Sequence, residues 1–234
     1  MLRIFGQIPF AHNRYNMRYK HVRSADAFCF DVDSTICKNE GLDDLAKWCN
    51  VNDISDITRR TMNGEICFRK SLKSRLDIIK PSKFDVLSFN KHNPAIMSKN
   101  IHNLIRVLHH NNKDVFLVSG GFRSIIQPIA LSLSIPMTKV YANTFIFDEL
   151  TKEYIGFDEN EYTSMSGGKA FVIKHIKEMY GYKNIIMIGD GVTDLEASAD
   201  FFIGYGGVNI MENVKDKADW FIEDFEDIAN IFIN

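Results

Sequence analysis

Disulfide-patterned cysteines, long apolar runs and a dominant charge sign are all missing from this chain of 234 residues. Its four cysteines, Cys29, Cys37, Cys49 and Cys67, form no C-x-x-C pair, and no histidine cluster accompanies them. That spacing argues against a disulfide framework and a zinc site and fits reduced thiols in an intracellular compartment. No apolar stretch reaches the roughly 18 residues that a membrane-spanning helix needs. A net charge of -2 gives no general attraction to nucleic acid or to an anionic membrane, so neither is expected as a partner. Repeats and low-complexity tracts are absent as well.

Acidic residues are missing from one place in particular. Arg3, Arg14, Arg18, Lys20 and Arg23 all precede the first of them, Asp26. Such a basic, acid-free start is what an organelle transit segment looks like. The near absence of hydroxyl residues favours instead a solvated arm or an N-terminal helix packed on the domain. Residues 1–23 are therefore set apart as a basic extension. The chain is expected in the cytoplasm, or in the mitochondrion or another organelle if residues 1–20 are a transit segment.

What is present has an α/β rhythm. Ala27-Phe28-Cys29-Phe30 is a short apolar strand, yet the next clear strand, Val115-Phe116-Leu117-Val118, lies about eighty residues on, where a crossover needs a dozen or so. Something is inserted. Leu42, Leu45, Ala46 and Cys49 recur at helical spacing, as do Phe68, Leu72, Leu76 and Ile79; Pro81 ends that second helix and Ser82 can cap the next. Residues 40–95 thus read as a small all-helical cap on a core formed by residues 24–39 and 96–234.

Within that core, Ile101, Leu104, Ile105 and Leu108 form a helix stripe ending at His109-His110. Ser119-Gly120-Gly121 is expected to open a helix carrying Ile125, Ile126 and Ile129, with a kink or an earlier break at Pro128. Val140-Tyr141-Ala142 is a short strand, and 145–147 with 154–157 read as a β-hairpin. Ser166-Gly167-Gly168-Lys169 leads into a helix that Gly181 stops. Strands at 185–188, 201–203 and 220–222 and a closing helix at 225–233 complete the pattern. The expected fold is α/β, a mainly parallel sheet with helices on both faces.

Three apolar strands end in polar groups: Asp31 and Asp33, Ser119, and Asp190. A buried carboxylate costs several kcal/mol unless it is paired or bound to metal, and open parallel sheets bind ligands at the carboxyl ends of their strands. Asp31, Asp33, Asp190 and Asp194 are hard oxygen ligands with no thiol or imidazole nearby. That favours Mg²⁺, and no EF-hand loop supports calcium. Ser119-Gly120-Gly121 offers a hydroxyl and backbone N–H groups to an anion, and Lys169 adds a cation after two flexible glycines. A Walker loop is absent, so ATP is not indicated. On this composition Asp-x-Asp-x-Thr arises by chance about once in twenty chains and Gly-Asp-Gly-x-x-Asp about once in two hundred. Their ordered occurrence at strand ends makes a shared site the better reading.

Asp31-Val32-Asp33-Ser34-Thr35, Ser119, Lys169 and Gly189-Asp190-Gly191-Val192-Thr193-Asp194 resemble the four ordered motifs of the haloacid-dehalogenase-type phosphatases. Asn39-Glu40-Gly41, Thr58-Arg59-Arg60-Thr61-Met62, the run from Phe116 to Ser124 and Ser166-Gly167-Gly168-Lys169 resemble, more narrowly, the phosphoserine phosphatase family. The likeness runs from about residue 24 to 230. It departs where Asn63 precedes Gly64, since the family often has two glycines there, and in the length of the 148–152 loop.

The resemblance implies a Rossmann-like core and the hydrolysis of O-phospho-L-serine to L-serine and phosphate, the last step of serine biosynthesis. Asp31 would attack phosphorus and become an aspartyl phosphate. Asp33 would act as acid and then as base, while Thr35 fixes the turn. One Mg²⁺ per site would be held by the Asp31 and Asp190 carboxylates and the Asp33 carbonyl, with Asp194 orienting its waters. Ser119, the Gly120 N–H and Lys169 would hold the phosphoryl oxygens; Glu40 would take the substrate ammonium, Arg75 its carboxylate, and Met62 would pack on it. A homodimer is implied as well, and because substrate must enter and bulk water then be excluded, hinges are expected near 36–41 and 93–100. Two rival readings keep part of this machinery: a phosphatase of another small phosphomonoester, and a phosphate-sensing module without turnover.

Overall fold

The most apolar runs of the chain become the middle of a sheet. In the computed structural model, which describes residues 9–51, 54, 57, 60 and 66–233 with side chains from Met17 onward, six parallel strands form one sheet. They are β1 (Ala27–Phe30), β2 (Asp114–Phe122), β3 (Val140–Asn143), β6 (Ile185–Gly189), β7 (Phe201–Tyr205) and β8 (Trp220–Ile222). A separate antiparallel hairpin pairs β4 (Phe145–Phe147) with β5 (Tyr154–Phe157). Every residue of β1, β6 and β7 is buried, as expected of strands covered on both faces.

Alternation along the strands divides the core. Phe28, Phe30, Val115, Leu117, Ile186 and Ile188 face one side, where they meet α5 (Ile101–His110) and α10 (Glu226–Ile233). Cys29, Phe116, Val118, Ile185 and Met187 face the other, against Val172, Ile173 and Ile176 of α7 (Gly168–Tyr180). Gly181, at φ 72°, ends α7 in the left-handed conformation that glycine adopts without strain.

The strand order is β3-β2-β1-β6-β7-β8, so the chain leaves β1 on one side for β2 and β3 and returns on the other for β6. Such a switch point opens a crevice at the carboxyl ends of the two strands that flank it. Between β1 and β2 the chain runs through α2 (Gly41–Trp48), α3 (Phe68–Ile79) and α4 (Lys83–His92). Leu42, Leu45, Leu72, Leu76 and Phe89 of these helices share a core with Phe122, Phe145 and Phe157, so the hairpin and the end of β2 are their seat. α3 stops at Lys80, which is left-handed at φ 43° and followed by Pro81, and Ser82 with Asp85 forms a reciprocal cap on α4. The two segments that join these helices to the core run antiparallel. Lys38 N donates to Ile96 O, Ser98 N to Ile36 O, and Ile96 N to Asn39 Oδ1.

Two local expectations need correction. β2 continues through Ser119-Gly120-Gly121 to Phe122, and α6 starts only at Arg123 (Arg123–Ser132). The Asn143 amide bonds the Gly120 carbonyl, and Phe122 pairs with Asn143, which holds this stretch extended. Of the kink or earlier break expected at Pro128, the break does not occur, and α6 runs through the proline. The proline removes the N–H that would have reached the Ser124 carbonyl, and Asn90 Nδ2 of α4 donates to that oxygen instead, at 2.7 Å.

At the N-terminus, α1 (Pro9–Ser24) packs on the far edge of the sheet. His21 stacks on Phe201, Arg18 lies over Trp220, and Arg23 donates twice to the Ile231 carbonyl. No helix among the described residues is long and apolar enough to cross a membrane.

Candidate active site

At the end of β1 the chain leaves the sheet in one tight turn. Asp31 N still bonds Ile188 O of β6, and Cys37 N closes back onto Val32 O. Inside the turn Ser34 is left-handed at φ 52°, and Asp31 and Asp33 take different partners.

Asp31 is nearly buried, and its Oδ1 lies 2.9 Å from Lys169 Nζ. The same ammonium is 2.5 Å from Asp194 Oδ1. Burial alone would lower the Lys169 pKa, but Asp194 and Asp31 outweigh it and raise it, so the ammonium is charged throughout the physiological range. Asp190, on the loop after β6, accepts from Thr35 Oγ1 at 3.1 Å, so Thr35 joins the two acidic loops rather than serving its own turn alone. Asp194 Oδ2 accepts from Gly191 N at 3.1 Å. Burial holds both Asp190 and Asp194 above the usual carboxylate range. Repulsion from Asp31 adds to the effect and Lys169 opposes it.

Oxygens of Asp31, Asp190 and Asp194 lie within 4.8 Å of one another. Three carboxylates crowded together, all hard oxygen donors and short of positive charge, fit a divalent cation. Asp194, expected to orient the waters of a metal rather than to bind it, brings a carboxylate oxygen to the same triad as Asp31 and Asp190.

Asp33 stands apart from that triad. Its Oδ1 accepts from Gly41 N, the first residue of α2, at 2.9 Å. Burial, then Glu40 and Asp31, push its pKa up to about 8, so its carboxyl group is mostly protonated at neutral pH.

Ser119 is buried at the carboxyl end of the apolar part of β2, with its Oγ bonded to Gly121 N. A Cβ at Gly120 would sit 2.8 Å from the ring of Phe68, so a side chain there would force that ring to shift. Glu40 is exposed at the mouth, where its Oε1 accepts from Ser34 Oγ at 2.7 Å. Burial of the carboxylate still raises its pKa against that hydrogen bond. Arg75 projects from α3 toward Asp43, 3.8 Å away, and burial lowers its pKa against Asp43, Asp33 and Glu40. Met62 lies outside the described residues, as do Asn63 and Gly64.

Sequence reasoning missed the residues that hold these in place. Asn143 bonds the Gly120 and Thr163 carbonyls, and Asn209 Nδ2 donates to Ser34 Oγ at 3.3 Å. Asn143 carried a legible signal, a polar residue closing an apolar strand, as Asp31, Ser119 and Asp190 do. Asn209, on a loop, carried none.

The model of the haloacid dehalogenase-like hydrolases matches residues 25–201, and the chain belongs to that family. It is 49% identical over 208 residues to a phosphoserine phosphatase of Homo sapiens, covering 88% of this chain and 92% of the human one. Among solved structures it superposes on DsGPDH of Dunaliella salina with a TM-score of 0.80 and 32% identity, over 91% of this chain and 37% of that longer one. On a phospho-aspartyl intermediate analogue of a phosphoserine phosphatase the TM-score is 0.72 at 25% identity, over 88% and 98% of the two chains. These relatives make the chain a phosphoric monoester hydrolase of the phosphoserine phosphatase family.

Proposed function

We propose that this chain hydrolyses O-phospho-L-serine to L-serine and phosphate through a phosphoryl group carried on Asp31. The carrying observation is the pair Asp31 and Lys169, 2.9 Å apart at the switch point of the sheet, with a protonated Asp33 turned aside from both. The likeness to phosphoserine phosphatases supports the choice of substrate.

An Asp31 oxygen attacks phosphorus while the bond to the serine oxygen breaks. The leaving oxygen takes its electron pair and receives the Asp33 proton, which a pKa of about 8 keeps available at neutral pH. Asp33, now ionised, then takes a proton from water, whose oxygen attacks phosphorus and frees Asp31. Ser119, the Gly120 N–H and Lys169 hold the phosphoryl oxygens in line. Asp31, Asp190 and the Asp33 carbonyl are the ligands expected for one Mg²⁺, with Asp194 against them. Bound there, the ion would offset the repulsion between phosphate and carboxylates.

The inserted helices choose the substrate in this reading. Glu40 meets the ammonium and Arg75 the carboxylate, a pairing that suits the guanidinium fork. Asp31→Asn tests the proposal: phosphate release from O-phospho-L-serine with Mg²⁺ should fall by at least about a thousandfold. Turnover within tenfold of the unsubstituted enzyme would refute it.

A further inference from the structure

The helix that carries Arg75 is also fastened to the segment that carries Lys169. Arg69, one residue into α3, sends Nη2 to the Glu159 carbonyl at 2.9 Å and to Ser164 Oγ at 3.0 Å, and its Nη1 lies 3.6 Å from Glu159 Oε2. Beside it, Phe68 N donates to Ser166 Oγ at 3.2 Å. All of these acceptors lie between 159 and 166, the segment that runs directly into α7 and Lys169.

That segment is firmly held to the phosphate-facing part of the site. Ser164 is fully buried and its hydroxyl donates to the Glu159 carbonyl, so Arg69 and Ser164 share one acceptor. Thr163 Oγ1 donates to Asn143 Oδ1 at 3.1 Å, and the amide of Asn143 donates to the Gly120 carbonyl at 2.8 Å. Glu161 takes two bonds from Arg123, the first residue of α6. Gly168 packs so tightly under the Tyr162 carbonyl that a Cβ there would collide with it. A shift in 159–166 is therefore passed to Lys169 on one side and to the Gly120 peptide on the other.

We infer that Arg69 is a positioning residue: it clasps 159–166 when the inserted helices lie over the site, and so sets Lys169 and the Gly120 peptide for the phosphoryl group. A guanidinium suits this task because its fixed fork bonds two acceptors of one segment at once, whereas an ammonium presents a single point charge. Arg69 and Arg75 thereby act on opposite ends of the substrate. Arg75 faces Asp43, Asp33 and Glu40, on the leaving-group side, and Arg69 works only through the phosphoryl side. The inference relies on the phosphatase reading for its turnover assay alone.

The test compares Arg69→Ala, Arg69→Lys, Ser164→Ala and, as a charge control from the same helix turn, Lys70→Ala. Orthophosphate binding is measured calorimetrically with Mg²⁺, turnover on O-phospho-L-serine and on p-nitrophenyl phosphate, and amide hydrogen exchange over 159–169 without ligand. Arg69→Ala should weaken orthophosphate about tenfold, raise KM for both substrates by one common factor of similar size, and speed exchange over 159–169 about fivefold. Arg69→Lys should recover less than half of that loss on a logarithmic scale, Ser164→Ala should lose about twofold to threefold, and Lys70→Ala should match the unsubstituted protein. Unchanged phosphate affinity, a KM rise confined to O-phospho-L-serine, or unchanged exchange in a folded Arg69→Ala protein would each overturn the inference. If the unsubstituted protein turns over neither substrate, the proposed activity fails, while phosphate binding and exchange still decide the role of Arg69.

Discussion

Gly41 N donates to Asp33 Oδ1 at 2.9 Å, so the first residue of the inserted helices touches the carboxylate proposed as acid and base. That bond favours the ionised form, yet burial and the charges of Glu40 and Asp31 outweigh it and hold Asp33 at about 8, against 3.8 for a free aspartate. A group raised in this way stabilises the fold below its unfolded pKa and ceases to do so as pH rises through its folded one. Between about pH 4 and pH 8 the metal-free protein should therefore lose stability, with Asp33 contributing at most about 1.4 kcal/mol per pH unit. Thermal melting in chelator should show Tm falling from pH 5 to pH 8, and Asp33→Asn should flatten that fall. An equal offset at both pH values would count against the proposed cause.

A divalent cation should act in the opposite sense. Asp31, Asp190 and Asp194 repel one another within 4.8 Å, and a bound cation turns that repulsion into attraction. Mg²⁺ at a hundred times its dissociation constant should add about 2.7 kcal/mol to stability. The gain should grow with pH, because the ion competes with protons for the same oxygens. Titrating MgCl₂ into the chelated protein while following Tm measures this. Asp190→Asn should remove most of the shift.

Much of this was legible because central parallel strands are written as uninterrupted apolar runs, and their polar ends stand out. Asp31, Ser119 and Asp190 could be placed at one edge of a sheet before any contact was known. The length between Phe30 and Val115 likewise revealed an insertion. Spacing does not record which way a side chain turns after its strand ends. Asp33 accepts from Gly41 N instead of joining the triad, and Asp194 is linked to Asp31 through Lys169, which lies 2.9 Å from Asp31 and 2.5 Å from Asp194. Nor can local pattern show how far an extended strand runs when a distant amide such as that of Asn143 holds it.

The helix at Pro128 makes the same point and can be tested. Local rules predict a kink or a break, and the helix runs on because Asn90 Nδ2 supplies the Ser124 carbonyl with the hydrogen bond that proline cannot. Asn90→Ala should cost about 1 kcal/mol, read from urea unfolding. In a Pro128→Ala background the new backbone N–H can reach the Ser124 carbonyl, so the same substitution should cost less. Identical losses in the two backgrounds would mean that Asn90 contributes through α4 packing alone.

Arg75 offers the sharpest test of substrate choice. Its Nε is buried without a hydrogen-bond partner among the described residues, and its nearest carboxylate, Asp43, is a loose 3.8 Å away. Burial lowers its pKa, but the nearby acids keep the guanidinium charged. In the proposed reading this loosely held charge takes the carboxylate that arrives with the substrate, and such a bidentate pair contributes about 2–3 kcal/mol. Arg75→Ala should accordingly raise KM for O-phospho-L-serine by about 30-fold to 150-fold and move KM for p-nitrophenyl phosphate, which has no carboxylate, by less than about threefold. Arg75→Lys should fall between, because the charge survives and the fork does not. Equal losses on the two substrates would assign Arg75 to the shape of the inserted helices, and the choice of phosphoserine would then need a different residue.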